Sequence, residues 1–451
     1  MVVSGSVAVG SIAREGVRRV GGSGARLTEA PGETRPARGR LGGRMFASLV
    51  RYPDFRRLWL SNLFFFGGVW VQTLILSWLV FDVTGSEFRL AVFTAVRLAP
   101  MMLGPLSGVL SDRFDRVTML LVASGWALAA VVVVATGVST GHTAYWVLVV
   151  GGLCLGLAQS PSQPARSTLV LDYVGRESLS NANALNSIVM NMTQVIGPAI
   201  GGAMIGALGA PTALWISTLW YALSLVALWR LRRTGRRAAR PHTGESFGTL
   251  LSTGVRAVLG NRLAAAVLLI TLVANILLWP IYQAFMPVFA KVNLGLDATG
   301  LGWLLTCCGL GGLVGSLVIA ALGDFRRKGA LFVVGTATWG ALWVLFALSR
   351  TTGVSFVLIA GVGLASSAFG VLQTTLLLMM TEPGVQGRAL GLQELAIGVM
   401  PVATIGLGAA AEYLGVAGTA VVSGVLLVTF LAVLALRVPA LLRYSGSDRF
   451  T

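Results

Sequence analysis

Two ionisable residues lie inside long apolar runs, where a charge is costly and is usually paired or functional. Arg97 lies near the middle of one run, and Glu394 lies in the first third of another. Glu394 is the only acidic residue well inside any apolar run of the chain. A carboxyl group in such a place can bind and release a proton. We therefore predict proton coupling by Glu394 and Arg97, with Asp82 as the next candidate. The alternative is that Glu394 is an interfacial group that reaches water.

Uncharged amide side chains form a second set within the apolar runs. They could line a cavity for a small-molecule substrate, or they could form hydrogen bonds between neighbouring helices. The members of this set are Gln72, Asn191, Gln194, Asn275, Gln283 and Gln373.

The chain lacks the short motifs of common catalytic and nucleotide-binding sites. It has no Gly-x-x-x-x-Gly-Lys-Ser/Thr phosphate loop, no His-Glu-x-x-His and no Gly-x-Ser-x-Gly. His142 and His242 lie in separate polar connections, and the three cysteines lie in apolar runs. We therefore predict that the protein is not an enzyme, and that it holds no metal and no cofactor.

Apolar runs set the architecture. Hydrophobic residues make up 55% of the chain and charged residues 11%, whereas soluble proteins carry about 25% charge. A membrane-spanning helix needs about 20 apolar residues. Twelve such runs are predicted, and they lie at about 58–81, 89–111, 118–138, 144–165, 183–206, 212–231, 263–289, 299–322, 330–349, 354–380, 388–411 and 416–438. The prediction is an all-α membrane protein with twelve transmembrane helices in two six-helix bundles, residues 51–231 and 263–438.

The distribution of positive charge predicts the orientation. Almost all of the 34 basic residues fall on the side that holds both termini, and Arg89, Lys291 and Arg350 remain on the other side. Because cytoplasmic loops are enriched in Lys and Arg, both termini are predicted to lie in the cytoplasm and the protein to span the cell membrane. This bias accounts for the net charge of +17 without a nucleic-acid partner. The expected partners are the lipid bilayer, a small-molecule substrate and a proton, and the protein is expected to be monomeric.

Three segments lie outside the predicted bundles. Residues 1–50 are a basic tail without helical or strand periodicity up to residue 44, predicted to be disordered. Translation is expected to begin at Met45; the alternative is a tail that binds anionic lipids. Residues 232–262 are a cytoplasmic linker that ends in a short amphipathic helix, and residues 439–451 are a second cytoplasmic tail.

A short charged loop occurs once in each half of the chain. The first copy reads Gly108-Val-Leu-Ser-Asp-Arg-Phe-Asp-Arg116, and the second reads Leu322-Gly-Asp-Phe-Arg-Arg-Lys328. A weaker match relates 206–213 to 412–419, and both of these stretches precede the last run of their half. Such duplication is typical of transporters built from two related helix bundles.

These loops and three other segments resemble the major facilitator superfamily, over about residues 50–440. The other segments are Arg51-Tyr-Pro-Asp-Phe-Arg-Arg-Leu-Trp-Leu60, Trp78-Leu-Val-Phe-Asp-Val-Thr-Gly-Ser86 and Arg97-Leu-Ala-Pro100. Within the superfamily, they resemble the bacterial branch of siderophore (enterobactin-type) exporters and macrolide efflux proteins. The resemblance implies a secondary transporter that exports an amphipathic small molecule, such as a drug or a siderophore, by alternating access and proton antiport. An importer or facilitator of the same fold is the alternative, and a non-transporting membrane sensor or scaffold is the alternative of a different class.

The resemblance also assigns two motifs. It implies a conformational switch that holds the cytoplasmic side closed, with Asp112 beside the start of helix 11 and the loop arginines in ion pairs; a simple positively charged loop is the alternative. Asp115 stands where the superfamily motif usually has glycine. The switch residues are Gly108, Asp112, Arg113, Arg116, Asp324, Arg326 and Arg327. The fifth run resembles an antiporter motif of the superfamily at Gly197, Pro198, Gly201 and Gly202. Thr193 stands at the position where that motif has its first glycine. The alternative is a generic face of small residues that packs against another helix.

Overall fold

The chain is helical throughout the part that the computed structural model describes, which is residues 47–103, 115–231, 258, 260–322, 325–382 and 385–445. Nine helices in these ranges are long and apolar enough to cross a membrane. The basic tail 1–44, most of the linker 232–262, and Gly108, Asp112, Arg113 and Asp324 lie outside the described residues.

The helices of the first half are numbered α1 to α6. They are α1 (Pro53–Thr84), α2 (Glu87–Leu98, continued by the 3-10 turn Ala99–Leu103), α3 (Arg116–Ser139), α4 (Tyr145–Gly175), α5 (181–208) and α6 (210–229). The helices of the second half are α7 (Arg262–Leu277, continued by Trp279–Ala284, Met286–Val288 and the π-helical Phe289–Asn293), α8 (Ala298–Leu322), α9 (Lys328–Leu348), α10 (Thr352–Met380), α11 (386–414) and α12 (416–437). Short helices at Ala47–Arg51 and Pro439–Arg443 flank them.

Two glycines divide the longest helical runs. Asn181–Trp229 is interrupted at Gly209 (φ 76°, ψ 161°), and Gln386–Arg437 is interrupted at Gly415 (φ 68°, ψ 163°). Residues with a side chain rarely adopt this conformation, whereas glycine adopts it readily. The two glycines occupy matching positions of the weak repeat 206–213 and 412–419, and they have the same backbone conformation.

Two further glycines with positive φ follow the first helix of each half. Gly85 (φ 56°) ends α1, and Gly295 (φ 63°) follows α7. The turns at Gly85, Gly209, Gly295 and Gly415 connect the helices at the end of the protein remote from the chain termini. We call this the far end and the opposite one the terminal end.

The hydrophobic core is continuous between the halves, except at the terminal end of the first half. One large cluster includes Phe65 and Tyr221 of the first half as well as Trp339 and Trp343 of the second. A separate cluster around Phe55, which includes α3 and α4 side chains, packs only residues of the first half. The halves therefore share packing toward the far end, while the terminal end of the first half has a core of its own.

Helix α4 is longer than the predicted run 144–165. It continues to Gly175 through Pro161 and Pro164. Proline has no backbone N–H, so a helix that contains proline leaves carbonyl groups without a backbone donor. In this segment, the Ser162 hydroxyl donates a hydrogen bond to the Ala158 carbonyl (2.7 Å). The helix therefore extends about three turns past the predicted run, through the Gln, Ser and Pro residues that blur the end of that run in the sequence.

Candidate functional site

An ion pair joins the two halves at the far end. Lys291 at the end of α7 donates to the Asp82 carboxylate at the end of α1. The Lys291 ammonium also lies over the Trp78 ring, 5.5 Å from its centroid. Nearby, the Ser86 hydroxyl donates to Glu412 at the end of α11 (3.5 Å). Asp82, the reserve candidate for proton coupling, is therefore part of a contact between the halves.

Small residues of α5 and α8 bring the halves together along a second line. A Cβ atom added at Gly202 would collide with the Ala298 carbonyl oxygen, and one added at Gly302 would lie 2.6 Å from the Pro198 carbonyl oxygen. The Thr306 hydroxyl donates to the Val195 carbonyl (2.9 Å). Backbone-to-backbone packing this close requires glycine on both helices.

The other glycines of the predicted α5 motif face α1 within the first half. A Cβ atom at Gly197 would lie 2.7 Å from Trp70 Cβ, and one at Gly201 would lie 3.1 Å from the Val71 carbonyl oxygen. The motif therefore packs on two sides: Gly197 and Gly201 against α1, and Gly202 against α8 of the other half.

Helices α2 and α11 form the third contact between the halves. A Cβ atom added at Gly408 of α11 would collide with the Ala91 Cβ of α2 and would lie 3.5 Å from Phe88 Cα. Ala91 and Phe88 belong to the first turns of α2, which start at the far end. Together with the α1–α7 and α5–α8 contacts, this packing closes the far end.

A cavity of about 160 Å³ lies between α5 of the first half and α7–α10 of the second. Its lining is aromatic and polar, and no charged residue contributes to it among the described residues. It is lined by Asn191, Gln194, Val195, Trp279, Tyr282, Cys308, Gly309, Gly312, Leu313, Ser316, Trp339, Trp343, Val362, Ser366, Ser367 and Gly370. A smaller cavity of about 20 Å³, room for one water molecule, lies between α1 and α7 and includes Thr73 and Gln283 in its lining.

The structure separates the six amides that were predicted to line a cavity or to bond helices. Asn191 and Gln194 line the larger cavity, and Gln283 lines the smaller one. Gln72 donates to the Ser217 hydroxyl of α6, and Asn275 donates to the Thr271 carbonyl of its own helix (2.8 Å). Gln373 is half-buried on α10, and its Oε1 has no hydrogen-bond partner among the described residues.

The predicted coupling residues Arg97 and Glu394 do not form an ion pair with each other among the described contacts. Arg97 is buried on α2 and donates to the Thr73 hydroxyl of α1. Glu394 is exposed on α11. Gln393, which precedes it, donates to the Thr374 hydroxyl of α10 (2.7 Å). In this conformation Arg97 is bound within the first half, and Gln393 within the second.

Three of the predicted switch residues lie in the described part of the chain. Arg116 of α3 forms an ion pair with Asp172 of α4 (2.7 Å) inside the first half. Arg326 and Arg327 precede α9, and Arg327 adopts a left-handed conformation (φ 68°). Asp115, at the usual glycine position of the motif, caps α3 by accepting a hydrogen bond from the Thr118 amide (2.8 Å).

Arg166 of α4 is a buried charge, although the sequence around it resembles a loop. Its side chain is 1% exposed, donates to the Ser61 and Asn62 side chains of α1, and lies 4.4 Å from the Phe65 ring centroid. Its Nε and Nη2 have no hydrogen-bond partner among the described residues. Ser61 and Asn62 stand out in the sequence as a polar pair within the first apolar run, but nothing in the sequence pairs them with Arg166.

Comparison with known proteins agrees with this architecture. Residues 45–449 match the family described as transmembrane secretion effector, within the major facilitator superfamily. The multidrug efflux pump Tap of Mycobacterium tuberculosis (strain ATCC 25618 / H37Rv) is 28% identical over 82% of this chain and 90% of its own. The enterobactin exporter EntS of Shigella flexneri is 24% identical over 76% of this chain and 81% of its own.

Solved structures share the fold. A POT family transporter in complex with a thioalcohol-conjugated peptide has a TM-score of 0.71 at 11% identity, covering 86% of this chain and 96% of its own. The nucleoside transporter NupG has a TM-score of 0.66 at 14% identity, covering 87% of this chain and 99% of its own. The protein is a transporter and not an enzyme, and it belongs to the transmembrane secretion effector family of the major facilitator superfamily.

Proposed function

We propose that this transporter exports an amphipathic small molecule across the cell membrane by alternating access. The observation that carries the proposal is the uncharged polar and aromatic cavity of about 160 Å³ between the halves, which lies behind three contacts that close the far end. A substrate would enter this cavity from the terminal end. Export requires those contacts to open and the terminal end to close.

Twelve transmembrane helices are part of the proposal. A single helix over Asn181–Trp229 (49 residues) or Gln386–Arg437 (52 residues) would be longer than about 70 Å at about 1.5 Å per residue, more than twice the hydrocarbon thickness of a bilayer. The breaks at Gly209 and Gly415 therefore support two crossings in each run. If the apolar run 89–111 read from the sequence is counted as a further crossing, the proposed crossings number twelve. The excess of basic residues at the terminal end supports a cytoplasmic location of both termini.

The direction of transport is supported by two of the relatives. These are a multidrug efflux pump and an enterobactin exporter, and both are exporters. We retain an importer or facilitator of the same fold as the second possibility. A non-transporting sensor would have no need of a substrate cavity between the two halves.

Proton antiport is the proposed source of energy, with Glu394 as the proton carrier. Glu394 is exposed on α11 and forms no described ion pair. Arg97 would favour its ionised form in the state that brings α2 and α11 closer together at the terminal end. Asp82 is the next candidate, because opening of the far end would release it from Lys291.

Everted membrane vesicles test direction and coupling together. With an acidic lumen, vesicles that contain the protein should accumulate the amphipathic dye Hoechst 33342 from the medium, and vesicles without the protein should not. The Glu394→Gln variant should lose uphill accumulation but retain dye binding and exchange. Glu382→Gln, which alters an acidic residue between α10 and α11, is the matched control and should transport normally.

Two results would contradict parts of the proposal. Dye uptake only in right-side-out vesicles would indicate an importer. Normal pH-dependent accumulation by Glu394→Gln would exclude Glu394 as the proton carrier and make Asp82→Asn the next variant to measure.

A further inference from the structure

The larger cavity has one chemically distinct wall, formed by four aromatic side chains of the second half. The Trp279 and Trp339 rings are in an edge contact with centroids 5.7 Å apart, and Tyr282 contacts Trp279 in the same way at 5.9 Å. Trp343 completes the wall from α9. Rings arranged edge to face present both edges and faces to a further aromatic ring.

One buried hydrogen-bond donor in this lining has no partner. Trp343 is fully buried, and its indole Nε1 has no acceptor among the described residues. The other buried polar atoms of the described residues that lack a partner belong to side chains outside this lining. A buried N–H group without an acceptor is costly, so an acceptor supplied by a bound molecule would be favoured.

Two of the three serines of the cavity, Ser366 and Ser367, do not compete for this role. The Ser366 hydroxyl donates to the Gly363 carbonyl (2.7 Å), and the Ser367 hydroxyl donates to the Leu364 carbonyl (2.7 Å). Their hydrogens are occupied by backbone acceptors of α10, so these hydroxyls offer lone pairs only. Across the cavity, Asn191 and Gln194 of α5 add amide groups.

Size and charge limit what this wall can hold. A cavity of about 150 Å³ accommodates a benzene molecule, so a volume of about 160 Å³ accommodates one substituted aromatic ring while the rest of a larger molecule lies toward the terminal end. The described lining contains no carboxylate to compensate a cation and no basic group to compensate an anion.

We propose that the wall of Trp279, Tyr282, Trp339 and Trp343 is a subsite for an uncharged aromatic ring that bears a hydrogen-bond acceptor, which the Trp343 indole N–H recognises. The proposal rests on the proposed function in taking this cavity as the substrate site. It adds the chemical class of the recognised group and the donor that selects it.

Two fluorescent probes of similar shape test the donor. 7-Methoxycoumarin carries a ring carbonyl acceptor, and 2-methoxynaphthalene has the same bicyclic outline without that carbonyl. Dissociation constants are measured on the purified full chain in nanodiscs, against empty nanodiscs to subtract lipid partitioning. Trp343→Phe should raise the dissociation constant of 7-methoxycoumarin about five- to tenfold more than that of 2-methoxynaphthalene. This difference is the equivalent of one hydrogen bond.

Two other variants separate the subsite from general effects. Trp339→Leu removes a ring of the wall and should weaken both probes, whereas Trp303→Phe alters an exposed tryptophan of α8 outside the lining and should weaken neither. The thermal unfolding midpoint of each variant identifies loss of fold. If Trp343→Phe is folded and weakens both probes equally, the N–H group is not the donor; if it changes neither, the ring does not bind at this wall.

These outcomes are independent of the export experiment. Binding is measured on purified protein without a gradient, so vesicles that show no export would refute the proposed function and leave the subsite intact. Conversely, export together with probe binding that ignores Trp339 and Trp343 would refute the subsite alone.

Discussion

Breaking the Asp82–Lys291 ion pair should shift the protein toward the conformation that is open at the far end. The pair joins α1 to α7 across the two halves, so it contributes only while the far end is closed. The Asp82 and Lys291 side chains are 51% and 40% exposed, and solvent screening therefore limits the contribution to about 0.2–1 kcal/mol. That free energy corresponds to a change of about 1.4- to 5-fold in the ratio of the two conformations.

Thiol labelling from the far side measures this ratio. A cysteine at Ser366, in the cavity lining, would be introduced after Cys154, Cys307 and Cys308 have been replaced by alanine. A membrane-impermeant maleimide should label Asp82→Asn and Lys291→Gln about 1.4 to 5 times faster than the parent, in the range set by the exposed pair. The charge-exchanged double variant Asp82→Lys/Lys291→Asp should return labelling toward the parent rate.

Controls distinguish the pair from a general effect of charge. Arg350→Gln removes an exposed basic residue of the connection between α9 and α10, and it should leave the labelling rate unchanged. In about 1 M salt, where the screening length falls to about 3 Å, the difference between the parent and Asp82→Asn should shrink. Unchanged labelling of both single variants, or a double variant that remains as open as either single one, would show that the pair does not hold the far end closed.

Three further variants test other contacts. Gly202→Ala places a methyl group against the Ala298 carbonyl, so it should raise far-side labelling and lower export. Gly406 has open space around it, so Gly406→Ala should change neither quantity. Equal behaviour of the two variants would show that the α5–α8 contact does not hold the far end closed. Arg116→Gln removes a partner from an ion pair with side chains 17% and 6% exposed and should lower the free energy of unfolding by about 1.5–3 kcal/mol. Arg57→Gln, in the more accessible pair with Asp54 (side chains 40% and 22% exposed), should lower it by less than about 1 kcal/mol. Equal losses of stability would contradict this ranking. A chain that begins at Met45, where the family match also begins, should insert and export like the full chain, and correct insertion without export would contradict it.

The helix pattern and the repeat were accessible from sequence because both depend on local composition. Long apolar runs separated by polar residues locate membrane helices, and the constant offset between the repeated stretches 206–213 and 412–419 pairs Gly209 with Gly415. The structure gives these two glycines nearly the same φ and ψ. The sequence repeat paired the two positions, and the structure adds that the recurring glycine has the same backbone conformation in both copies.

The buried polar cluster around Arg166 was missed because its partners are distant in sequence. Arg166 follows a stretch rich in Ser, Gln and Pro, which resembles a loop, and its acceptors lie on α1, 104 and 105 residues earlier. A single sequence contains no signal that relates such positions. The same limit applies to Gln72 and Gln194, which have equal polarity in sequence, although one is bound to Ser217 within the first half and the other lines the cavity.

The described contacts indicate how the halves divide the work of transport. Each half holds buried cations on internal bonds. In the first half, Arg97 is bonded to Thr73 and Arg166 to Ser61 and Asn62, and these bonds fix α2 and α4 to α1. In the second half, the buried Lys328 donates to the Phe325 and Ser445 carbonyls. The second half supplies the aromatic wall of the cavity from α7 and α9. Because the glycine contacts of α5 with α8 and of α11 with α2 involve backbone atoms or Cβ atoms, they cannot stretch gradually and must separate as the far end opens. Movement of the two halves against each other, with separation at these close contacts, is therefore the motion that this arrangement favours.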